Sequence, residues 1–414
     1  MPDLDAHLDR SRTELLGEID QPPIAAVRRR AGALRRRRRT AVAGSALAVI
    51  VVAGVVGLHP WDRRSDGTVN PAAPPSVRQS ANIYTGSGIT INGLQPNLLV
   101  DLPGQIADVE FVDPDHGYVV SQCTDVTVCT ALSLTDDTGE TFTRATLPEA
   151  ARRPDLHVVV FPRGQAMLET PDASFMTADS GHTWQPVVRG GATQVGSATP
   201  DQILRLDGAH EVTVWDPVRG SLGPLASQPL DIDVVWVSAR PAGNGAWWVG
   251  GVAPGGKPAA AVTRDGGRTW QERFLPGSDV RDVHVATLGT EVWAVATGEG
   301  ESLRGIYHST DGGATFAAVG HGGTGPAKIS GDPVPLLDGR LLVAEPGLAA
   351  AKGGAGGRWW LSTDDGATFT TAASLPSVGR LAQTGAGYVA YELFAGSWAA
   401  YSADGSTWNK LQAN

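Results

Sequence analysis

Cysteine is nearly missing from this chain: Cys123 and Cys129 are the two it has in 414 residues. That scarcity excludes a disulfide-dense scaffold and a thiolate metal cluster, which need several paired or convergent thiols. Lysine is scarce as well, 4 against 29 arginines, and charged residues make up 18% of the chain. There is no Gly-rich phosphate loop ending in Lys-Ser/Thr, no Gly-x-Ser-x-Gly elbow and no His-Glu-x-x-His segment. The common signatures of nucleotide, serine-hydrolase and zinc-hydrolase chemistry are therefore absent. Beyond residue 60 no stretch carries a helical period of apolar residues, which excludes a helical core there.

Glycine, in contrast, is abundant at 52 residues, about 13% against a typical ~7%, and it marks a repeat. Six segments carry Ser/Thr-x-Asp-x-Gly-x-Thr-Trp/Phe or a close variant. They are Thr135-Asp-Asp137-Thr-Gly139-Glu-Thr141-Phe142, Thr177-Ala-Asp179-Ser-Gly181-His-Thr183-Trp184 and Thr263-Arg-Asp265-Gly-Gly267-Arg-Thr269-Trp270. Then come Ser309-Thr-Asp311-Gly-Gly313-Ala-Thr315-Phe316, Ser362-Thr-Asp364-Asp-Gly366-Ala-Thr368-Phe369 and a copy one residue short, Ser402-Ala-Asp404-Gly-Ser-Thr407-Trp408. The aspartates are spaced by 42, 86, 46, 53 and 40 residues. The step of 86 is a doubled period, so one unit, roughly 193–229, has lost its motif, and Val214-Trp-Asp216-Pro-Val-Arg-Gly220 reads as its eroded turn. Seven units of about 40–50 residues match the period of four-stranded propeller blades.

Short apolar runs broken by turn residues precede each motif. In the first unit these are 106–112, 118–120 and 128–132; in the fifth they are 283–286, 292–295 and 305–308. Each set reads as strand, turn, strand. The expected fold is an all-β, seven-bladed β-propeller over 85–414.

The repeated motif resembles the Asp box, or BNR repeat, of sialidases, sortilin-type receptors and photosystem II assembly-factor-like propellers. The physics of the motif is local: a carboxylate accepts hydrogen bonds from its own turn, glycine permits positive φ, and the aromatic opens the outer strand against a neighbouring blade. Asp137, Asp179, Asp265, Asp311, Asp364 and Asp404 are thus expected to be structural rather than catalytic.

Residues 40–58 form an uncharged run long enough to cross a bilayer as a helix. Eight arginines, 28–30 and 35–39, precede it, and Arg63 and Arg64 follow. The positive-inside rule then puts the tail, 1–39, in the cytoplasm and the propeller outside the membrane. A cleaved export signal is the competing reading, with a long leading region and a poor cleavage site at Asn70-Pro-Ala-Ala-Pro. Either reading leaves the propeller extracytoplasmic. The tail, with helical candidates at 4–19 and 24–39 split by Pro22-Pro23, is too short for a core of its own. Tails of this kind are common in actinobacterial membrane proteins, and the arginine-rich usage suits a GC-rich genome. Residues 59–84 read as an extended, Pro-containing spacer.

The net charge is +4 over 1–39 and −14 over the remainder, which argues against a nucleic-acid partner for the propeller. Cys123 and Cys129 flank a turn between two expected strands, where a disulfide across the hairpin would persist in an oxidising compartment; two reduced thiols are the alternative. No metal or cofactor is expected.

The resemblance to sialidases implies an arginine triad, a Tyr–Glu nucleophile pair and a Phe/Tyr-Arg-Ile-Pro segment. That segment is missing, Val160-Phe-Pro-Arg163 scrambles its order, and adjacent Tyr391 and Glu392 would point to opposite faces of a strand. No catalytic residue is assigned. Aligning the first strands of the units instead places Asp108, Asp155, Gln194, Asp233, Asp282, Lys328 and Arg380 at one level. Glu110, His157, His284 and Ser330 lie two residues on and share a face with them. This is a candidate ligand rim (Asp108, Asp155, Asp233, Asp282, Lys328 and Arg380), or a solvated channel lining. The expected function is a non-catalytic binding or scaffolding module for an extracytoplasmic protein or glycan. The alternatives are a glycoside hydrolase and a transmembrane sensor with a regulatory tail.

Overall fold

The computed structural model describes residues 82–93, 102, 104–122, 130–161, 164–187, 194–217, 221–320, 324–347, 356–394 and 398–411. The tail 1–39, the apolar span 40–58, most of the spacer and both cysteines lie outside the described residues. The first strand, Asn82–Gly86, begins three residues inside the expected spacer.

The described chain folds into seven antiparallel sheets. Their innermost strands, in order around the ring, are Gln105–Phe111, His157–Val160, Ile203–Leu206, Asp233–Val237, Asp282–Leu288, Val334–Pro335 and Arg380–Thr384. We number the blades 1 to 7 in that order. Blade 5 shows the plan: Asp282–Leu288, Glu291–Thr297, Leu303–Ser309 and Ala317–Val319 pair in sequence, each with the next. Its inner strand, Asp-Val-His-Val, alternates as β-branched strands do. Val283 and Val285 are buried between blades, while Asp282 and His284 share the other face.

The core lies between the sheets. Seven buried clusters correspond to the seven blade-to-blade interfaces. Trp248, Ala260 and Val262 of blade 4, for example, pack on Val283, Val285 and Ala294 of blade 5. One cluster joins Val389, Tyr391 and Tyr401 of blade 7 to Val109 and Val119 of blade 1, so the ring is closed by packing. A backbone seam adds to it. The hairpin Asn82–Gly86 and Ile89–Gly93 runs beside Thr407–Leu411, the last described strand, with Thr90, Ile91 and Asn92 in parallel register with Thr407, Trp408 and Asn409. Blade 7 thereby has six strands.

Blade 3 is the unit without a motif, and the reason is topological. Val212–Asp216 is its second strand, so Asp216 sits one hairpin earlier than the eroded turn expected there. Its outer edge is taken by a segment that comes before the inner strand. Val195 bridges Leu225 in parallel, its amide donating to Pro224 O (2.9 Å) and its carbonyl accepting from Ala226 N (2.8 Å). Gln194 therefore lies on an outer edge and not in the inner ring.

Candidate functional site

The repeated turns hold six of the aspartates. At Asp311, Ser309 Oγ donates to Oδ1 (2.8 Å), Thr315 N to Oδ1 (2.9 Å) and Thr315 Oγ1 to Oδ2 (2.7 Å), while Ser309 Oγ accepts from Gly313 N (2.8 Å). The turns at Asp137, Asp179, Asp265 and Asp364 make the same four bonds. In the shortened copy, Asp404 Oδ1 accepts from Ser406 N and Thr407 N, both at 2.8 Å. The Thr183 hydroxyl and amide hold the Asp179 carboxyl down at about 2. Burial opposes ionisation of Asp265, but the bonds from Thr269 bring it to about 2 as well.

Each turn also seats its blade on the one before. Gly313 has φ +85°, and a Cβ there would overlap the Trp248 ring of blade 4. Gly139 meets Leu411, Gly267 meets Leu225, Gly366 meets Ile306 and Gly405 meets Leu336, always in the preceding blade. The aromatics follow: Phe316 packs edge-on against Trp248, and Trp408 against Trp359. These carboxylates serve turns and interfaces.

At the channel mouth where inner strands begin, Asp233, Asp282 and Arg380 each open a strand. Asp108 follows a bulge in blade 1, Asp155 lies two residues ahead of its strand, and Lys328 precedes the inner strand of blade 6. The four aspartates all have partners. Asp108 Oδ2 accepts from Val158 N (3.0 Å) with His157 Nδ1 at 3.5 Å, and Asp155 faces Arg153 at 3.4 Å. Asp233 faces His210 at 2.8 Å, and Asp282 faces His284 at 2.8 Å. The Arg380 guanidinium lies 4.7 Å from the Tyr391 ring centre. Tyr391 is spoken for structurally, its hydroxyl accepting from Val109 N at 3.1 Å.

Deeper in, His284 is clamped between two carboxylates, with Nε2 on Asp282 and Nδ1 2.6 Å from Asp332 Oδ1. Burial opposes its charge, yet the bonds from Asp282 and Asp332 carry it up to about 10, so the ring is an imidazolium at neutral pH. Asp332 also accepts from Trp236 Nε1 (2.9 Å) and from Gln383 N (2.7 Å). One buried carboxylate of blade 6 thus ties together blades 4, 5 and 7. Burial tends to raise Asp332, but the His284 imidazolium holds it below the ordinary carboxylate value.

The far end of the channel, where inner strands finish, holds a cavity of about 570 Å³ to which all seven blades contribute. Glu110, Trp236, Ser238, Arg240, Asp332 and Gln383 supply its polar wall. Arg240 follows the inner strand of blade 4 and reaches the turn of blade 7, donating from Nη1 to Gly385 O at 2.9 Å. A Cβ at Gly385 would lie 2.7 Å from both the Arg240 Cζ and the Phe111 backbone oxygen. Gly385 N in turn donates to Glu110 Oε2 at 3.3 Å. Burial, with Asp108 adding to it, pushes the Glu110 carboxyl up to about 8.

Arg240 and Asp332 were not among the residues that strand alignment picks out. Both sit beside inner strands in irregular segments, where no period reports on them. The one available signal for Asp332 is its place two residues after Ser330, on the same alternation.

No family model and no curated protein matches this chain. Similar solved structures exist. YCF48 from Cyanidioschyzon merolae is 14% identical, covering 74% of this chain and 95% of that one, with a TM-score of 0.47. A structure described as YCF48 bound to D1 peptide is 19% identical (75% and 83% covered, TM-score 0.33). An ancestral GH74 enzyme is 12% identical (78% and 38% covered, TM-score 0.35). These likenesses are remote, and the seven-bladed assignment rests on the strand pairing itself.

Proposed function

We propose that this chain is a membrane-anchored β-propeller of the Asp-box type whose extracytoplasmic domain binds a protein or glycan ligand at its central channel, without bond-making chemistry. The observation that carries the reading is the channel: a cavity of about 570 Å³ walled by all seven blades, with polar side chains of blades 1, 4, 6 and 7 lining one space. Concave sites with a few convergent polar groups are where ligands bind. His284, Asp282 and Asp332 are consumed by one another, which suits a rigid wall better than a proton-transfer device. The anchor and its orientation rest on the apolar run 40–58 and the arginines ahead of it.

The test uses the full chain on a glycan array and in capture of surface and secreted proteins, beside the double variant Asp233→Asn, Asp282→Asn. That pair keeps shape and hydrogen-bonding capacity while removing charge from the mouth. A saturable ligand lost by the folded double variant supports a mouth site. Capture unchanged by any channel substitution, or turnover of a captured glycan, contradicts a non-catalytic channel site. Protease protection of the tail in intact cells, with the propeller cut, checks the topology; a soluble form starting beyond about residue 70 contradicts the anchor.

A further inference from the structure

Arg240 is the least satisfied group in the channel. Its Nη1 is bonded to Gly385 O, but Nε and Nη2 are buried and have no hydrogen-bond partner among the described residues. Leaving two guanidinium donors dry and unbonded is costly, and native structures rarely do so without a water, ion or ligand to complete them. The side chain crosses from blade 4 to the turn of blade 7 and lines a cavity able to hold a small molecule or a chain end, with Nε and Nη2 buried at its wall.

We propose that the far end of the channel is an oxyanion site, in which Arg240 Nε and Nη2 grip a carboxylate, or a sulfate group of like geometry, on a bound ligand. The planar guanidinium suits such two-point contact. Glu110 completes the site. A neutral Glu110 offers an O–H donor to the anion, whereas an ionised one repels it. The groups that face Glu110 are Asp108 on its own strand, Arg240, the Gly385 amide and the Tyr391 hydroxyl. The other carboxylate on the cavity wall, Asp332, is taken up by His284, Trp236 Nε1 and the Gln383 amide. The two ends of the channel therefore differ in preference: a mouth ringed by aspartates, and a deep end set for an anion. The proposal rests on the channel being a ligand site.

The probe is acetate, with acetamide as its uncharged counterpart and sulfate as the second oxyanion. The full chain is titrated by tryptophan fluorescence, since Trp236 lines the cavity, and by melting temperature. Acetate is expected to saturate and acetamide not to. Because Glu110 loses its proton near 8, acetate affinity is expected to fall about tenfold between about pH 7 and about pH 9. Arg240→Gln should abolish binding, and Glu110→Gln should keep it while flattening the pH profile. Competition of sulfate with acetate supports the site as one for oxyanions in general. If Arg240→Gln does not fold, the acetate–acetamide contrast and the Glu110→Gln profile decide. Acetate no better than acetamide, or acetate binding intact in folded Arg240→Gln, overturns the proposal. Acetate binding in a chain that captures no partner leaves this site standing and removes the preceding reading.

Discussion

Two populations of carboxylates occupy this propeller, one around the outside of the ring and one around its axis. Five of the outer aspartates make the same four hydrogen bonds in turns of one design, and Asp404 makes a shortened version. Around the channel no single arrangement is repeated from blade to blade. Asp108 takes the Val158 amide, Asp233 faces His210, Asp332 holds three neighbours, and Glu110 is pushed up by burial. A side chain repeated with its partners in blade after blade serves what every blade needs, its turn and its seat on the one before. Groups whose partners change from blade to blade are the ones available for something that happens once, at the centre.

Substitutions can break that comparison at several points, and the largest effect belongs to Asp332. Asp332→Ala leaves His284, Trp236 Nε1 and Gln383 N without their shared acceptor, and removing one partner of a buried pair costs roughly 3–5 kcal/mol. Denaturant unfolding checks it; a loss near zero would mean that the hub is not holding blades together.

Next is a paired glycine test that isolates interface packing. Gly313 and Gly339 have nearly equal φ, +85° and +86°, but a Cβ at Gly313 overlaps Trp248 while one at Gly339 meets nothing within 4 Å. Both Ala variants bear the left-handed strain, and Gly313→Ala alone adds overpacking, typically about 1–3 kcal/mol. Equal melting temperatures would remove the interface role of the repeat turns.

A pH scan separates the turn aspartates from the channel histidine by sign. Asp179 and Asp265 sit at about 2 when folded, below the ordinary 3.8, so their contribution is present above 3.8 and lost as pH falls toward 2. His284 sits at about 10, above the ordinary 6.5, so its contribution is full below 6.5 and lost as pH rises toward 10. The loss between about 8 and about 10, beyond the range in which Glu110 titrates, should vanish in a folded His284→Gln variant while the acid loss remains. The smallest effect is expected at Asp233→Asn, where both partners of the His210 pair are more than half exposed; such surface changes usually stay within about 0.5 kcal/mol.

Blade number and strand order were legible because they rest on a period. The spacing of Asp137 through Asp404 counts the blades, and the alternation in Val283-His-Val-Ala puts His284 on the face away from the interface core, as found. The missing motif was read correctly as one unit, but its turn was misplaced. A single-bridge segment borrowed from upstream of its own blade leaves no repeat to find. At the channel, Asp233, Asp282 and Arg380 could be aligned because each opens a strand. Arg240 and Asp332 could not, because their positions depend on a bulge, a turn and contacts across the ring between residues 96 to 145 apart in sequence.

The central claim is that ligand meets the channel and not the repeated turns. Hydrogen exchange on the full chain, with and without its captured ligand, tests it most directly. The account predicts slowed exchange in 233–241, 282–286 and 380–385, with the turns around Asp179, Asp265 and Asp311 unchanged. Protection confined to those turns, with the channel segments exchanging as before, would contradict it.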